Sequence, residues 1–244
     1  SPLGAISNEV WLTNRDAGTR VLYQTGVTGN SLATPSPLSP ARYAVWVRSK
    51  LPGGQVTDWS AAVEFDVLAP APTLISGSGT SNDGLPVISW TAVPGAASYQ
   101  VQIHPVGSNT PLLSVSGLTA TTYRVPQPMA GGRYLISIRA MKGTRQFAVP
   151  LLNQPLFVRR APAGLKAEVN GFSWSASPGA LTYGYEIRNV RTNAVVMQGS
   201  QTSTIAQRST AFPPGQYQAR VFAPYSGGVH TQWSAPLVFE EFRP

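Results

Sequence analysis

The sequence predicts an all-β chain of tandem β-sandwiches in an elongated array, and three observations predict it. Twenty-two prolines and 23 glycines are spread along the 244 residues without clustering, which cuts the chain into short segments suited to strands and turns. No stretch of about 12 residues carries apolar side chains at i, i+3, i+4 and i+7 while staying free of Pro and Gly. Finally, a set of Trp and Tyr landmarks recurs every 80 to 90 residues or so, the spacing of successive domains with separate cores and not of a short-period solenoid.

The first landmark is a Trp ahead of a Pro-Gly-Ala-x-x-Tyr turn, Trp90 with Tyr99 and again Trp174 with Tyr183. The second is a strand opened by Tyr, beginning at Tyr43, Tyr134 and Tyr217. The third is Trp59-Ser60-Ala61, repeated as Trp233-Ser234-Ala235, each followed by an apolar strand. Together these residues resemble the fibronectin type III family, whose domains are Ig-like sandwiches. The resemblance covers nearly the whole chain. It implies that Trp90, Tyr99, Trp174 and Tyr185 plug cores, and that Tyr43, Tyr134 and Tyr217 are tyrosine corners. The turns Pro40, Gly131-Gly132 and Pro213-Pro214-Gly215 precede those corners. The run from Glu9 to Leu12, through Tyr43 to Arg48 and on to Trp59-Ser60, is also similar to repeats of very large planctomycete-type surface proteins.

The elements follow in order. Ser7 to Thr13 reads as the third strand of a sandwich, with Val10 and Leu12 matching Tyr185 and Ile187. Tyr43, Val45 and Val47 alternate on one face, as do Tyr134, Ile136, Ile138 and Tyr217, Ala219, Val221. In the last strand of the first repeat Val63, Phe65 and Val67 alternate with Glu64 and Asp66. A period of two with one apolar face is the mark of a half-buried antiparallel strand. The second repeat opens with strands near Leu74-Ile75 and Val87 to Trp90, the third with Leu165 to Val169 and Phe172 to Trp174. A tight hairpin is expected at Val169-Asn170-Gly171-Phe172. Pro-containing joints at residues 68–72 and 160–164 place three domains at 1–68, 69–160 and 161–244 and restrict the backbone between them.

The first repeat lacks the opening pair of strands. Its Val10, Leu12, Val45, Val47 and Phe65 would face water, at about 1.5–3 kcal/mol of lost burial each. The expectation is that the missing strands precede Ser1 in a parent protein or are added by a partner chain.

Charged residues are 11% of the chain, well under the roughly 25% of ordinary globular domains. The net charge of +8 could draw anionic partners, but the basic residues are scattered and only Arg159-Arg160 are adjacent, so nucleic acid is not expected. Without cysteine there is neither a disulfide framework nor a thiolate metal site, and compartment stays open. No apolar run of about 18 residues predicts membrane insertion.

No catalytic constellation is expected, and no cofactor or metal. His104, read as just past a strand, and His230, in a loop, are treated as solvent-facing turn residues. Asn82-Asp83-Gly84 resembles half a calcium loop but lacks the other acidic ligands, so a β-turn is predicted. Two readings of the outer surface stand side by side. Trp11, Trp46 and Arg48 share the outward face of the first repeat and form a candidate glycan or protein contact. Alternatively Arg48 stacks on Trp59 and Arg220 on Trp233 as structural cation–π pairs worth about 0.5–1 kcal/mol each. Phe147 stands where the second repeat would need its Trp.

The expected role is a non-catalytic spacer or adhesion array of a bacterial protein at the cell surface, outside the cell or in the periplasm. Its partners would be adjacent repeats and a protein or glycan. The alternatives are a carbohydrate-binding accessory module of a secreted hydrolase and a subunit of an extracellular assembly completed by strand addition.

Overall fold

A computed structural model describes residues 4–225 and 228–242. The first stretch of chain forms β1 (Ser7–Asn14), β2 (Thr19–Val27), β3 (Ala41–Lys50) and β4 (Val63–Val67), with a single 3-10 turn at Pro52–Gly54. Next come β5 (Leu74–Ser76), β6 (Gly79–Ser81), β7 (Val87–Trp90), β8 (Ser98–Pro105) and β9 (Leu113–Leu118). β10 (Thr122–Arg124), β11 (Gly132–Lys142), β12 (Arg145–Gln146) and β13 (Leu151–Val158) complete the middle of the chain. The last part holds β14 (Lys166–Glu168), β15 (Gly171–Ser173), β16 (Tyr183–Asn189) and β17 (Val195–Gln201). It ends with β18 (Ile205–Gln207), β19 (Gly215–Phe222) and β20 (Leu237–Glu241).

Residue contacts divide the chain into two compact units. The first comprises 1–71, 93–97 and 139–149, the second 72–92, 98–138 and 150–244.

In the first unit β1 to β4 make one antiparallel sheet in the order β2-β1-β3-β4. Register explains its two faces. Val10 lies opposite Val47, Leu12 opposite Val45 and Tyr43 opposite Phe65, whereas Glu9 pairs with Arg48 and Trp11 with Trp46. Alternation therefore sends the aliphatic set to one side and the charged and indole set to the other. Leu12, Ala41 and Tyr43 are buried, with Leu22, Leu38, Val45 and Val67 packed against them. Among the described residues of this unit no second sheet lies over that apolar face, and the sandwich is half built. Residues 28–40, broken by Pro35, Pro37 and Pro40, contribute no strand. The remaining pieces of the unit are tied in by Met141 paired with Gln146, Lys142 with Arg145, and Ala69 bridged to Ala148.

The second unit contains two pairs of sheets. β10-β7-β5 accompanies β6-β13-β11-β8-β9, and β14-β15-β18 accompanies β17-β16-β19-β20. In each pair the apolar faces meet around an indole. Trp90 of β7 touches the ring of Tyr99 on β8 edge-on at 5.4 Å, and Trp174 touches Tyr183 at 5.3 Å. Ile136, Ile138, Val101 and Ile103 are fully buried in the first of these sandwiches, Ile187, Ala219 and Val221 in the second. The core tyrosine of the last sandwich is Tyr183. Tyr185, expected there, packs on the same core, edge-on to Phe172 at 5.7 Å, and is half-buried.

β14 and β15 join through the two residues Val169 and Asn170 as a tight hairpin. Among the described residues only Asn153 and Asn193 of the non-glycines have positive φ, so the Asn-Gly pair does not form a type I′ turn. His104 is not past its strand. β8 runs on to Pro105, with Ile103 still paired to Leu113, which holds His104 half-buried inside the element.

Each strand-opening tyrosine is locked in the same way. The hydroxyl of Tyr43 donates to the Ser39 carbonyl at 2.7 Å, that of Tyr134 to Ala130 at 2.9 Å and that of Tyr217 to Pro213 at 2.7 Å. All three rings are buried, and burial pushes the Tyr134 phenol up to about 12.

Candidate functional site

The outer face of the first sheet carries a connected group of rings and charges. The Arg48 guanidinium lies 4.7 Å from the centre of the Trp59 ring, and its Nε donates to Glu9 Oε2 at 2.7 Å. Tyr23 donates its hydroxyl to the same oxygen at 2.8 Å. The Tyr23 hydroxyl and the Arg48 guanidinium hold the Glu9 carboxyl below the ordinary carboxylate range. Trp11 meets Trp59 edge-on at 5.9 Å and Tyr23 at 6.0 Å, with Arg20 5.8 Å above it. Trp46 sits opposite Trp11 on this face and is half-buried. Trp11 and Tyr23 stay 38% and 41% exposed, so the group has an accessible rim. Their mutual edge-on packing leaves no row of coplanar rings of the kind a sugar chain would lie along.

The last sheet repeats the arrangement with a change of register. Arg220 stacks 4.6 Å from Trp233 and donates to Glu186, which Arg188 also holds at 2.7 Å. Hydrogen bonding to Arg188, opposed by burial and reinforced by Arg220, keeps the Glu186 carboxyl below its usual range. Phe222 takes the position that Arg48 has in the first sheet, covering Gly184 and packing 4.4 Å from Trp233. His230 is fixed here, edge-on to Phe222 at 5.7 Å. In the middle segment Phe147 is buried, with Lys142 5.6 Å above its ring and Gly95 beneath it.

Two further polar sets went unnoticed in the sequence. In the first unit Asp16, in the β1–β2 turn, receives Arg145 at 2.7 Å and Lys142 at 3.3 Å, and Arg145 also grips Asp66. Burial pushes the Asp16 carboxyl up, but the Lys142, Arg145 and Arg42 hydrogen bonds prevail and hold it below the ordinary range. In the second unit the Arg133 amide donates to Pro178 O at 2.8 Å and the Gln232 amide to Arg159 O at 2.7 Å. Tyr225 packs edge-on against Phe157 at 4.9 Å and donates to Pro178 O at 3.1 Å. A Cβ on Gly131 would fall 1.7 Å from Arg160 O, and one on Gly132 would fall 2.6 Å from Pro178 O. The chain can come this close only without side chains. The parity that put Glu9 opposite Arg48 was readable, whereas the partners of Asp16 and Arg133 are 129 and 45 residues away and carry no local signal.

Asp83 accepts from Ser81 Oγ at 3.0 Å and from the Leu85 amide at 2.9 Å, closing a turn on itself. Among the described residues no group of three His, Asp or Glu side chains converges as metal ligands, and no helix is long and apolar enough to cross a membrane.

The sheets define the class of fold. A three-stranded sheet with a larger one in each of the last two segments, a Trp-plugged core in both, and a tyrosine corner in all three make this an all-β chain of tandem fibronectin type III-like sandwiches with the first one incomplete. The chain is similar to the chicken CNTN1 FN1-FN3 domains at 12% identity, with 98% of this chain and 90% of that one covered and a TM-score of 0.31. It is also similar to a two fibronectin type-III domain segment from chicken tenascin at 15% identity, covering 70% of this chain and 99% of that one with a TM-score of 0.41. No family model and no curated protein matches it.

Proposed function

We propose that this chain is a non-catalytic spacer or adhesion array of a secreted or surface-exposed bacterial protein, its domains falling at 1–68, 69–160 and 161–244. The observation that carries this reading is the seam in the second unit around Gly131 to Arg133, Phe157 to Arg160, Pro178, Tyr225 and Gln232. Backbone hydrogen bonds and a buried aromatic pair dock one sandwich on the next there, with no room for a Cβ. A binding protein that only displays independent modules has no need of such a seam, whereas a spacer must hold consecutive modules in one orientation. The test is small-angle scattering of the full chain and of its Gly131→Ala, Gly132→Ala variant. A fixed scattering profile that broadens in the variant supports the spacer, and a wild-type profile already typical of freely jointed modules refutes it.

The second reading, a carbohydrate-binding accessory module, draws on the accessible rim of Trp11 and Tyr23 beside Arg20. It requires retention on some polysaccharide that Trp46→Ala abolishes while the fold is kept. A broad glycan array without a single binder refutes it.

A further inference from the structure

Nine asparagines are spread along the chain, and only Asn170 is followed by glycine. It is exposed at the tip of the β14–β15 hairpin, next to Val169, which is 91% exposed. At Asn8, Asn14 and Asn189 the carboxamide oxygen is held, by the Ser49 hydroxyl, the Ala17 amide and the Arg191 amide. The Asn170 carboxamide has no such partner among the described residues. The backbone around it is tightly placed. Glu168 pairs with Gly171, the Arg208 amide donates to Asn170 O at 2.9 Å, and a Cβ on Gly171 would fall 1.9 Å from Ala206 O. The missing Cβ that lets β15 pass Ala206 also leaves the Gly171 amide nitrogen unshielded. On the other side the turn is closed by β14, three exposed residues at the outer edge of β14-β15-β18.

We propose that Asn170 is a site of spontaneous deamidation through a succinimide with Gly171, and that the isoaspartyl product releases β14 from its sheet. The Gly171 amide nitrogen gives its proton to solvent base and bonds to Asn170 Cγ, the Cγ–Nδ2 bond breaks, and ammonia leaves. Water then opens the ring. Cleavage of the bond from the nitrogen to Cγ yields aspartate, and cleavage of its bond to the main-chain carbonyl carbon yields isoaspartate. In a two-residue hairpin the closing pair exchanges both backbone bonds, so the Gly171 amide is engaged with Glu168 and attack waits for the turn to open. A short exposed edge strand opens far more cheaply than the whole domain. In the isoaspartyl form the main chain runs through Cβ and Cγ and is one atom longer. The carbonyl that accepted from Arg208 becomes part of a carboxylate two residues from Glu168, so the turn cannot keep both its closing pair and the Arg208 bond. The other dipeptide open to this ring closure, Asp83-Gly84, is protected. Its carboxylate accepts from Ser81 and Leu85, and its glycine is buried against Met129 and Arg160.

The test holds the full chain in mildly alkaline buffer, folded and in parallel unfolded in urea, and follows every asparagine by peptide mapping and mass spectrometry. Isoaspartate is scored by an isoaspartate-specific methyltransferase. Asn170 should convert before any other asparagine in the folded chain, with Asp83 unchanged. Because only the open hairpin reacts, conversion should be slower than in the unfolded chain, but by less than about a thousandfold. In the isoaspartyl chain, separated by its added charge, amide exchange at residues 166–168 should be at least about tenfold faster than in the unmodified chain. Asn170→Asp adds the same charge without the extra main-chain atom and should keep the slow exchange, while Asn170→Gln should stay unmodified at this position. Slowing beyond about a thousandfold, or another asparagine converting first, overturns the proposed site. An isoaspartyl chain that exchanges at residues 166–168 like the unmodified one, or an Asn170→Asp chain that exchanges as fast as the isoaspartyl one, overturns the release of β14 by the lengthened turn.

Discussion

Tyr217→Phe isolates one hydrogen bond and reports on how the second unit melts. The ring is 1% exposed and its hydroxyl donates to the Pro213 carbonyl at 2.7 Å. Phenylalanine keeps the ring packed between Phe212 and Phe239, centred 5.0 and 5.8 Å away, and strands the carbonyl. An intramolecular hydrogen bond is worth about 1 kcal/mol net, and because Pro213 is exposed water can reach the carbonyl left behind. The expected loss is about 1 kcal/mol. How that loss appears depends on cooperativity. If the last sandwich melts as a domain of about 80 residues, each kcal/mol lowers Tm by about 4–8 °C, but if the unit melts as one body of 150 residues or more, by about 2–4 °C. The buried cluster that joins Phe157 to Trp174, Tyr217 and Tyr225 favours the single body and a shift of about 2–4 °C. Differential scanning calorimetry reads both the shift and the number of transitions. A Tm change below about 1 °C would show that the corner bond contributes nothing and would refute the reasoning.

Three further substitutions test the seam, the charges and the stacks. Gly131→Ala drives a methyl group into the Arg160 carbonyl and should cost at least about 1–3 kcal/mol, whereas Gly29→Ala, with nothing nearer than 4.0 Å, should stay within about 0.5 kcal/mol in denaturant titration. Asp16 has a folded-state pKa below its unfolded value, so its contribution is complete above about pH 4 and vanishes as pH falls through the lower folded pKa. Between pH 5 and 2 the wild type should therefore lose more stability in the first unit than Asp16→Asn, and parallel pH profiles would contradict the assignment. Arg220→Ala should cost about 1–2 kcal/mol, because it removes the cover of Trp233 and one of the two cations on the buried Glu186. Arg220→Lys should recover less than half of that in chemical unfolding, since the ammonium lacks the planar stack.

The parts of this fold that were legible in the sequence depend on short-range alternation. The face shared by Tyr134, Ile136 and Ile138 follows from the period of a strand, and the hairpin after Glu168 follows from a two-residue turn. The apolar face of the first sheet was visible in part: Val47 and Phe65 are exposed as expected, but Leu12, expected to face water, is buried and Val10 and Val45 are half-buried, because Leu22 and Leu38 pack over that end of the face. Long-range closure was not legible. Asp16 is an ordinary turn acid until Arg145 reaches it, and Gly131-Gly132 reads as a loop before the Arg160 carbonyl is seen against it. Tyr185, placed in the core by the resemblance, packs there against Phe172 but stays half-buried. Parity gives the face of a residue but not how deeply it is covered.

The two outer-face stacks decide between packing and recognition. Trp59 and Trp233 hold equivalent places, each 16 residues after its corner tyrosine, but the arginine that covers the indole is five residues after Tyr43 in one sheet and three after Tyr217 in the other. In both, the carboxylate sits directly across the ladder from that arginine, Glu9 opposite Arg48 and Glu186 opposite Arg220. Cation and anion have therefore moved together by one step along the face. The vacated positions are filled as pairs too, Trp11 opposite Trp46 in one sheet and Gly184 opposite Phe222 in the other. A ligand platform constrains absolute position, because a bound chain meets the rings at fixed spacing. A packing unit constrains only mutual contact, so carboxylate, guanidinium and indole can shift along the ladder as long as they shift as one. The coordinated displacement has the second character. It favours for Arg48 and Trp59, and for Arg220 and Trp233, a role in packing the loop after the corner strand onto the outer face of its own sheet, with the rim of Trp11 and Tyr23 left for recognition.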